Sequence, residues 1–281
     1  MEESLAKSTL EVKQGDISLL NENTELSSMI QVTELPSGFK GYPEGTKISF
    51  KPITLEELEA LNSDKEPDPA RAVAMLLNSI HCTTLPSEEL YYWDVMYIGI
   101  QRKLLAFGDT KGTIYNRCPK CGNVVSRTFN YTELEFKEVT APALPMRLEV
   151  CGKKLEFGLL TMKDFLQIEV EQGELGVYAR MIKNLNFDEA YALVKNSTGV
   201  DIKKLRFVDK QLDYGIKPLF VECEGEIEEI NPDFDPEKEG SKKVIFRPCK
   251  EQVVLEVRSP FEIVFPEDET DGYNDFEVQY G

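Results

Sequence analysis

Along the chain, short alternating runs of apolar and polar residues give way to longer runs of helical period, and the same succession occurs twice. Lys47-Ile48-Ser49-Phe50-Lys51-Pro52 alternates as a strand does, and Thr54 then precedes Leu55-Glu56-Glu57-Leu58. That order predicts a strand, a hydroxyl N-cap and a helix with carboxylates near its positive end. Lys154-Leu155-Glu156-Phe157 followed by Thr161, Met162, Lys163 and Asp164 repeats it, at an offset of 154 − 47 = 107. An apolar helix predicted over 71–80 is echoed over 177–185. A second helix closes at Gly108 in the first run and at Gly215 in the second, again 107 apart and each suited to a helix C-cap. A strand then leads into a cysteine at 114–118 and at 219–223. Closing strands follow at 124–129, with Phe136 beyond, and at 253–257, with Phe265 beyond.

Each run reads as strand–helix–helix–strand–turn–strand. The pattern therefore predicts an α+β fold of two pseudo-symmetric strand-helix-helix-hairpin units, the product of an internal duplication. The expected segments are a polar N-terminal arm at 1–34, a first repeat unit with its cysteine knuckle at 35–140, and a second repeat unit at 141–266. An acidic tail follows at 267–281. A linker carrying Pro142 and Pro145 joins the copies. The second unit holds an acidic insert at about 224–243, which its carboxylates, Pro232 and Pro236 mark as a solvated loop.

Cys118-Pro119-Lys120-Cys121-Gly122 is the sharpest local motif. Two thiolates separated by two residues, with a glycine free to take positive φ, form half of a tetrahedral zinc site. The repeat suggests the other half. Cys223 stands where Cys118 does, Cys249 precedes the equivalent closing strand, and the insert splits this second knuckle. Cys118, Cys121, Cys223 and Cys249 are thus expected to converge as a zinc-ribbon-like site linking the two halves, with structural Zn2+ as the cofactor. The competing reading, a hairpin with buried thiols and no metal, stands beside it at equal weight. A thioredoxin-type redox turn should open a helix, whereas Val124-Val125-Ser126-Arg127-Thr128-Phe129 alternates and is β-branched like a strand. A mixed site using His81 and Cys82 would sit at the end of an apolar helix, where a satisfied core cysteine is the more usual role. Cys82 and Cys151 read as packing residues.

The 281 residues are 41% hydrophobic, enough for a real core, and carry a net charge of −18. The charge disfavours nucleic acid, which calls for clustered Lys and Arg; around the cysteine turn there are only Arg117, Lys120 and Arg127. It suits a soluble assembly component or an acidic face for a basic partner, and equally an ordinary solvated surface. The start lacks a basic and apolar leader. The most apolar long stretch, 90–107, is broken by Asp94, Gln101, Arg102 and Lys103, so no membrane span is expected. A protein made and kept in a cytoplasm, or in a particle assembled there, keeps its six cysteines as thiols or metal ligands.

His81 is the single histidine and has no motif around it. Gly108-Asp109-Thr110-Lys111-Gly112 lacks phosphate-loop spacing, and no carboxylate set forms a metal loop. Tyr91, Tyr92 and Trp93, with Leu90, Met96, Tyr97 and Ile100, read as the core or interface stripe of one helix. The expectation is a protein that is not an enzyme and has no small-molecule substrate.

Leu35-Pro36-Ser37-Gly38-Phe39-Lys40-Gly41-Tyr42-Pro43-Glu44-Gly45, followed by Ile48-Ser49-Phe50-Lys51-Pro52-Ile53-Thr54, resembles the opening of the T-even-type bacteriophage baseplate hub and hub-assembly proteins. Asp94, Arg102, Gly108 and the turn at Cys118 resemble that family's central helix and hairpin. Thr161, Asp164, Gly215, Cys223 and the strand at 253–257 resemble its later half. The resemblance spans about 35–266 and leaves out the N-terminal arm, the insert and the tail. It implies a structural component of a contractile phage tail baseplate, hub or hub-proximal, assembled in the host cytoplasm and held in the virion by contacts with other baseplate or tail proteins. A hub-assembly chaperone absent from the mature virion, and a zinc-ribbon binding module, are the alternatives.

Overall fold

The computed structural model describes residues 29–62, 69–108, 110–168, 172–230 and 244–256. In chain order the elements are β1 (Ile30–Gln31), β2 (Ile48–Phe50), α1 (Leu55–Asn62), α2 (Pro69–Ser79), β3 (Ile80–Cys82), α3 (Tyr92–Phe107), β4 (Lys111–Arg117) and β5 (Val124–Asn130). Then come β6 (Met146–Val150), β7 (Lys153–Phe157), α4 (Met162–Leu166), α5 (Gly173–Met181), α6 (Phe187–Lys195), α7 (Val200–Leu212), β8 (Leu219–Glu222), β9 (Glu226–Ile230), β10 (Val244–Pro248) and β11 (Gln252–Leu255). The chain folds into two compact units. Of the described residues, one gathers 110–137, 214–230 and 244–256; the other gathers 29–62, 69–108, 138–168 and 172–213. The expected segments 35–140 and 141–266 each contribute to both units, so chain order and compact units divide the protein differently. Most of the expected arm, the insert from 231 to 243, the end of the second unit from 257, and all of the tail lie outside the described residues.

The larger unit holds the helices. Its small sheet runs β1-β2-β3, antiparallel throughout, with Phe50 opposite Ile30 on one side and Ile80 on the other. The same arrangement recurs at Phe157, which pairs with Met146 across the β6–β7 hairpin and bridges to Ile182. Lys51 N–H donates to Ser79 O and Gly158 N–H to Met181 O, both at 2.9 Å, and positions 51 and 158 are again 107 apart. Both expected N-caps are capping boxes, in which hydroxyl and carboxylate satisfy each other's backbone N–H. Glu57 N–H donates to Thr54 Oγ1 at 3.2 Å and Thr54 N–H to Glu57 Oε2 at 2.9 Å; the Thr161–Asp164 pair does the same at 3.1 Å each way. Arg102 reaches both Glu57 oxygens and donates from Nε to Lys51 O at 2.7 Å, while Lys183 pairs with Asp164 at 2.6 Å.

Helix α3 is apolar on most of its circumference, as a helix enclosed by its unit must be. Val95, Met96, Ile98, Ile100 and Leu104 are buried, and Gly108 closes the helix at φ +69 with its N–H on Leu104 O. Asp94 in its first turn is fully buried. It accepts from Ser37 N–H and Oγ at 3.0 and 2.7 Å and from Tyr42 OH at 2.9 Å, and Tyr42 OH in turn accepts from Tyr91 N–H at 2.9 Å. The opening signature is therefore a clasp: Ser37 and Tyr42 fold over the start of α3 and satisfy its buried carboxylate. Burial still pushes Asp94 up to about 6, against those three hydrogen bonds.

Several expectations need correction. Gly215 is not a helix cap: α7 ends at Leu212, Asp213 is already extended, and Gly215 O accepts from Lys137 N–H where the chain leaves to bridge Phe136 with Ile216. His81 and Cys82 do not close a helix. They lie in β3 opposite Ser49 and Ile48, with the histidine exposed. Cys151 is not a packing residue either, because it forms with Gly152 the two-residue turn of the β6–β7 hairpin, at φ +51 and +71, and is exposed. Within the expected arm, Ile30 and Gln31 form β1. The insert is not a loop at its base: Glu226–Ile230 and Val244–Pro248 pair as an antiparallel hairpin.

Candidate metal centre

The smaller unit consists of hairpins. Strands β4 and β5 pair from Lys111↔Asn130 to Arg117↔Val124, and the knuckle lies at their tip. Strands β8 and β11 pair from Leu219↔Leu255 to Glu222↔Gln252, with Cys223 and Cys249 just beyond and β9–β10 rising between those two cysteines. Asn116 Nδ2 donates to Val254 O at 2.9 Å, and Arg127 Nη1 to Phe220 O at 3.0 Å, so β4 is tied to β11 and β5 to β8. Alternation along the strands sends Val125, Val253 and Leu255 inward, where they form one buried cluster with Cys118, Cys223 and Cys249.

The two tips are built alike. Cys118 N–H donates to Asn123 O and Gly122 N–H to Cys118 O, at 2.8 and 2.9 Å; Cys223 N–H donates to Glu251 O and Lys250 N–H to Cys223 O, at 2.8 and 3.1 Å. The residue after the second cysteine takes positive φ in both, Gly122 at +74 and Lys250 at +53. Backbone N–H groups two residues past the first cysteine point at its sulfur: Lys120 at Cys118, and Gly225 at Cys223 from 3.3 Å. The tips then interlock. Cys118 Sγ lies 3.6 Å from Cys249 Sγ, and Cys121 Sγ lies 3.4 Å from Cys223 Sγ. Exchanging the two tips turns one pair into the other.

The four predicted sulfurs all lie within 4.8 Å of one another, three of the residues buried and Cys121 half-buried. These separations are well beyond a covalent S–S bond. A tetrahedral ion with sulfurs at about 2.3 Å needs S···S separations of about 3.8 Å, so the set fits a four-thiolate metal ion with small adjustments. The electrostatics agree. Burial pushes the Cys118 thiol up, but the N–H groups of Cys121 and Lys120 and the neighbouring thiols outweigh it and bring it down to about 7. Cys249 is pushed up to about 12, by burial first and then by the facing sulfurs. At Cys223 the Gly225 N–H favours the thiolate, yet burial with the Cys121 and Cys118 sulfurs raises it overall. One thiolate forms readily, and a divalent cation is what lets all four ionise together. His81 and Cys82 are not among the converging ligands. The clasp on Asp94 escaped the sequence reading; Ser37 and Tyr42 stand 57 and 52 residues from it, and a signal was available in an Asp set among the apolar residues of the first turns of α3.

A helical α/β unit and a pair of hairpins that pool four cysteines define the protein as a mixed α/β chain with a ribbon-like cysteine cluster. The chain belongs to the T4 bacteriophage base plate protein family, whose model matches residues 27–230. No curated protein and no solved structure matches it. The family match takes in the clasp, both capping boxes and three of the four clustered cysteines, and ends before Cys249. Membership implies a structural role in the baseplate, a location in the phage virion tail and neighbours among other baseplate proteins. Among the described residues no helix is long and apolar enough to cross a membrane.

Proposed function

We propose that this protein is a structural component of the baseplate at or next to its hub, acting through protein–protein contacts, without catalysis, and stapled by one zinc ion on Cys118, Cys121, Cys223 and Cys249. The observation that carries the reading is the family match over residues 27–230. The cysteine set supports the staple: four thiolates fill a tetrahedral zinc and leave no position for water or substrate. The reading includes an internal duplication. It is supported by capping boxes 107 residues apart, by the shared pairing of Phe50 and Phe157, and by the two tips with one hydrogen-bond pattern. In this reading the protein takes no nucleic acid, membrane or small-molecule substrate, and it is assembled in the host cytoplasm.

Quantitative mass spectrometry of purified virions against infected-cell lysate tests the role. A fixed stoichiometry in washed tails is the expected result. Abundance in lysate with absence from tails would overturn it in favour of an assembly chaperone. Elemental mass spectrometry of the reduced protein tests the staple, with one zinc per chain expected.

A further inference from the structure

The two hairpins of the smaller unit share a plan but not a charge. From Thr110 to Thr132 the chain carries Lys111, Arg117, Lys120 and Arg127 and no acidic residue, in a protein of net charge −18. Residues 219–230 and 244–256 carry seven glutamates against Arg247 and Lys250. Part of this opposition is spent inside the unit, where Lys120 meets Glu251 at 3.8 Å and Arg127 is committed to Phe220 O.

The outward faces keep the rest. On β4–β5 the strand alternation leaves Tyr115 55% and Val124 53% exposed, with Lys111 and Arg117 exposed on the same face. On β8–β11 it leaves the cross-strand pair Phe220 and Val254 54% and 40% exposed, beside Glu222. Tyr115 and Phe220 occupy the same place in their hairpins, three residues before the first cysteine of each tip. Each face thus has an aromatic centre with charge at its margin, the composition of an interface anchor, and the charges are of opposite sign.

We propose that these faces bind each other between copies: the outward β4–β5 face of one chain docks on the outward β8–β11 face of a second copy. Tyr115 stacks against the Phe220–Val254 pair, and Arg117 and Lys111 meet Glu222. A basic partner would suit only the second face and an acidic partner only the first, whereas another copy supplies both complements. The contact is head-to-tail, so every added copy still presents one face of each kind and association runs on to a ring or a filament. Repulsion between chains of net charge −18 acts over the long range and is screened beyond about 8 Å at physiological salt, which leaves the close contact to decide. The inference rests on the reading of the cysteine cluster as a metal-held ribbon, since both faces depend on that fold.

Sedimentation of the full zinc-loaded chain at physiological ionic strength tests it, with zinc content measured on the same sample. The wild-type mass is expected to rise with concentration. Lys111→Glu with Arg117→Glu disables the first face, and Phe220→Ser with Val254→Ser disables the second. All four residues point outward, so zinc content should equal that of wild type. Each double variant alone should stay a monomer, while the two mixed should form a dimer and nothing larger, because one intact pair of faces remains. A wild-type chain that stays monomeric, a variant that still associates alone, or a mixture that does not dimerise would each overturn the docking. A chain lacking zinc strikes at the metal reading instead, and the two failures are read on separate instruments.

Discussion

If the four cysteines hold zinc as proposed, removing it should unfold the smaller unit. The buried cluster around its two tips contains six residues, and three of them are the expected ligands Cys118, Cys223 and Cys249. The other three, Val125, Val253 and Leu255, contribute roughly 5–9 kcal/mol together at about 1.5–3 kcal/mol for each buried aliphatic side chain. A structural zinc in a cysteine-rich domain contributes about 10–16 kcal/mol near neutral pH. On the proposed zinc reading the metal is therefore the larger part of what holds the two tips together, and without it three sulfurs would stay buried with no cation to compensate their ionisation. The assay is hydrogen exchange on the full chain before and after a high-affinity chelator. Amides of β4, β5, β8 and β11 should lose most of their protection on chelation and regain it when zinc is returned. The single tryptophan, Trp93, lies in the other unit and reports on that unit separately. Hairpin protection that survives complete zinc removal would refute the reasoning, since the apolar cluster alone would then suffice.

Three further outcomes follow from individual positions. A Cβ placed on Gly225 lies 2.8 Å from Cys121 Sγ and 2.8 Å from Asn123 Cβ, so Gly225→Ala should displace a ligand sulfur and weaken zinc affinity about 10- to 100-fold in a competition titration. Lys250 bears a side chain at φ +53, where Gly122 serves the other tip; Lys250→Gly should relieve strain and stabilise the smaller unit by about 1 kcal/mol in urea denaturation followed by hydrogen exchange. Asp94 has its folded pKa raised to about 6 from 3.8, so the folded state holds its proton more tightly and the stability linked to that proton is lost as pH rises through 6. Between pH 5 and 7.5 the stability of wild type relative to Asp94→Asn should fall by about 1.4 kcal/mol, and a flat difference across that range would contradict the assignment.

What the sequence made legible was local. The Thr54 and Thr161 caps needed only a hydroxyl and a carboxylate three residues on, and both are capping boxes. Cys118 and Cys121 announce their own turn, and Cys223 and Cys249 were found because their neighbours repeat those of the first tip. The β9–β10 hairpin was missed because Glu226-Ile227-Glu228-Glu229-Ile230 has the composition of a loop. Its strand character comes from backbone pairing with 244–248, a long-range partner that no local pattern contains. Cys151 was misread because a positive-φ turn residue is recognised by its hairpin rather than by its side chain, and Asp94 gave no sign that Ser37 and Tyr42 would satisfy it.

On the duplication reading, a second tip split by an insert has a physical rationale. Between Cys118 and Cys121 there are 2 residues, and between Cys223 and Cys249 there are 25 (249 − 223 − 1). Closing the longer loop costs more by about 1.5RT ln(25/2), roughly 2 kcal/mol, because loop entropy grows only with the logarithm of length. That increment is small beside the roughly 10–16 kcal/mol of a structural zinc. The β9–β10 ladder reduces it further, since its Glu226↔Pro248 pairing and the Cys249 N–H···O Gly225 bond hold the two ends of the loop together independently of the sulfurs. A hairpin held by a large apolar core would have to keep that core intact around an insertion. On the proposed zinc reading a tip held by four sulfurs has only to return Cys249 to its place, so this knuckle would accommodate an added acidic segment at small cost.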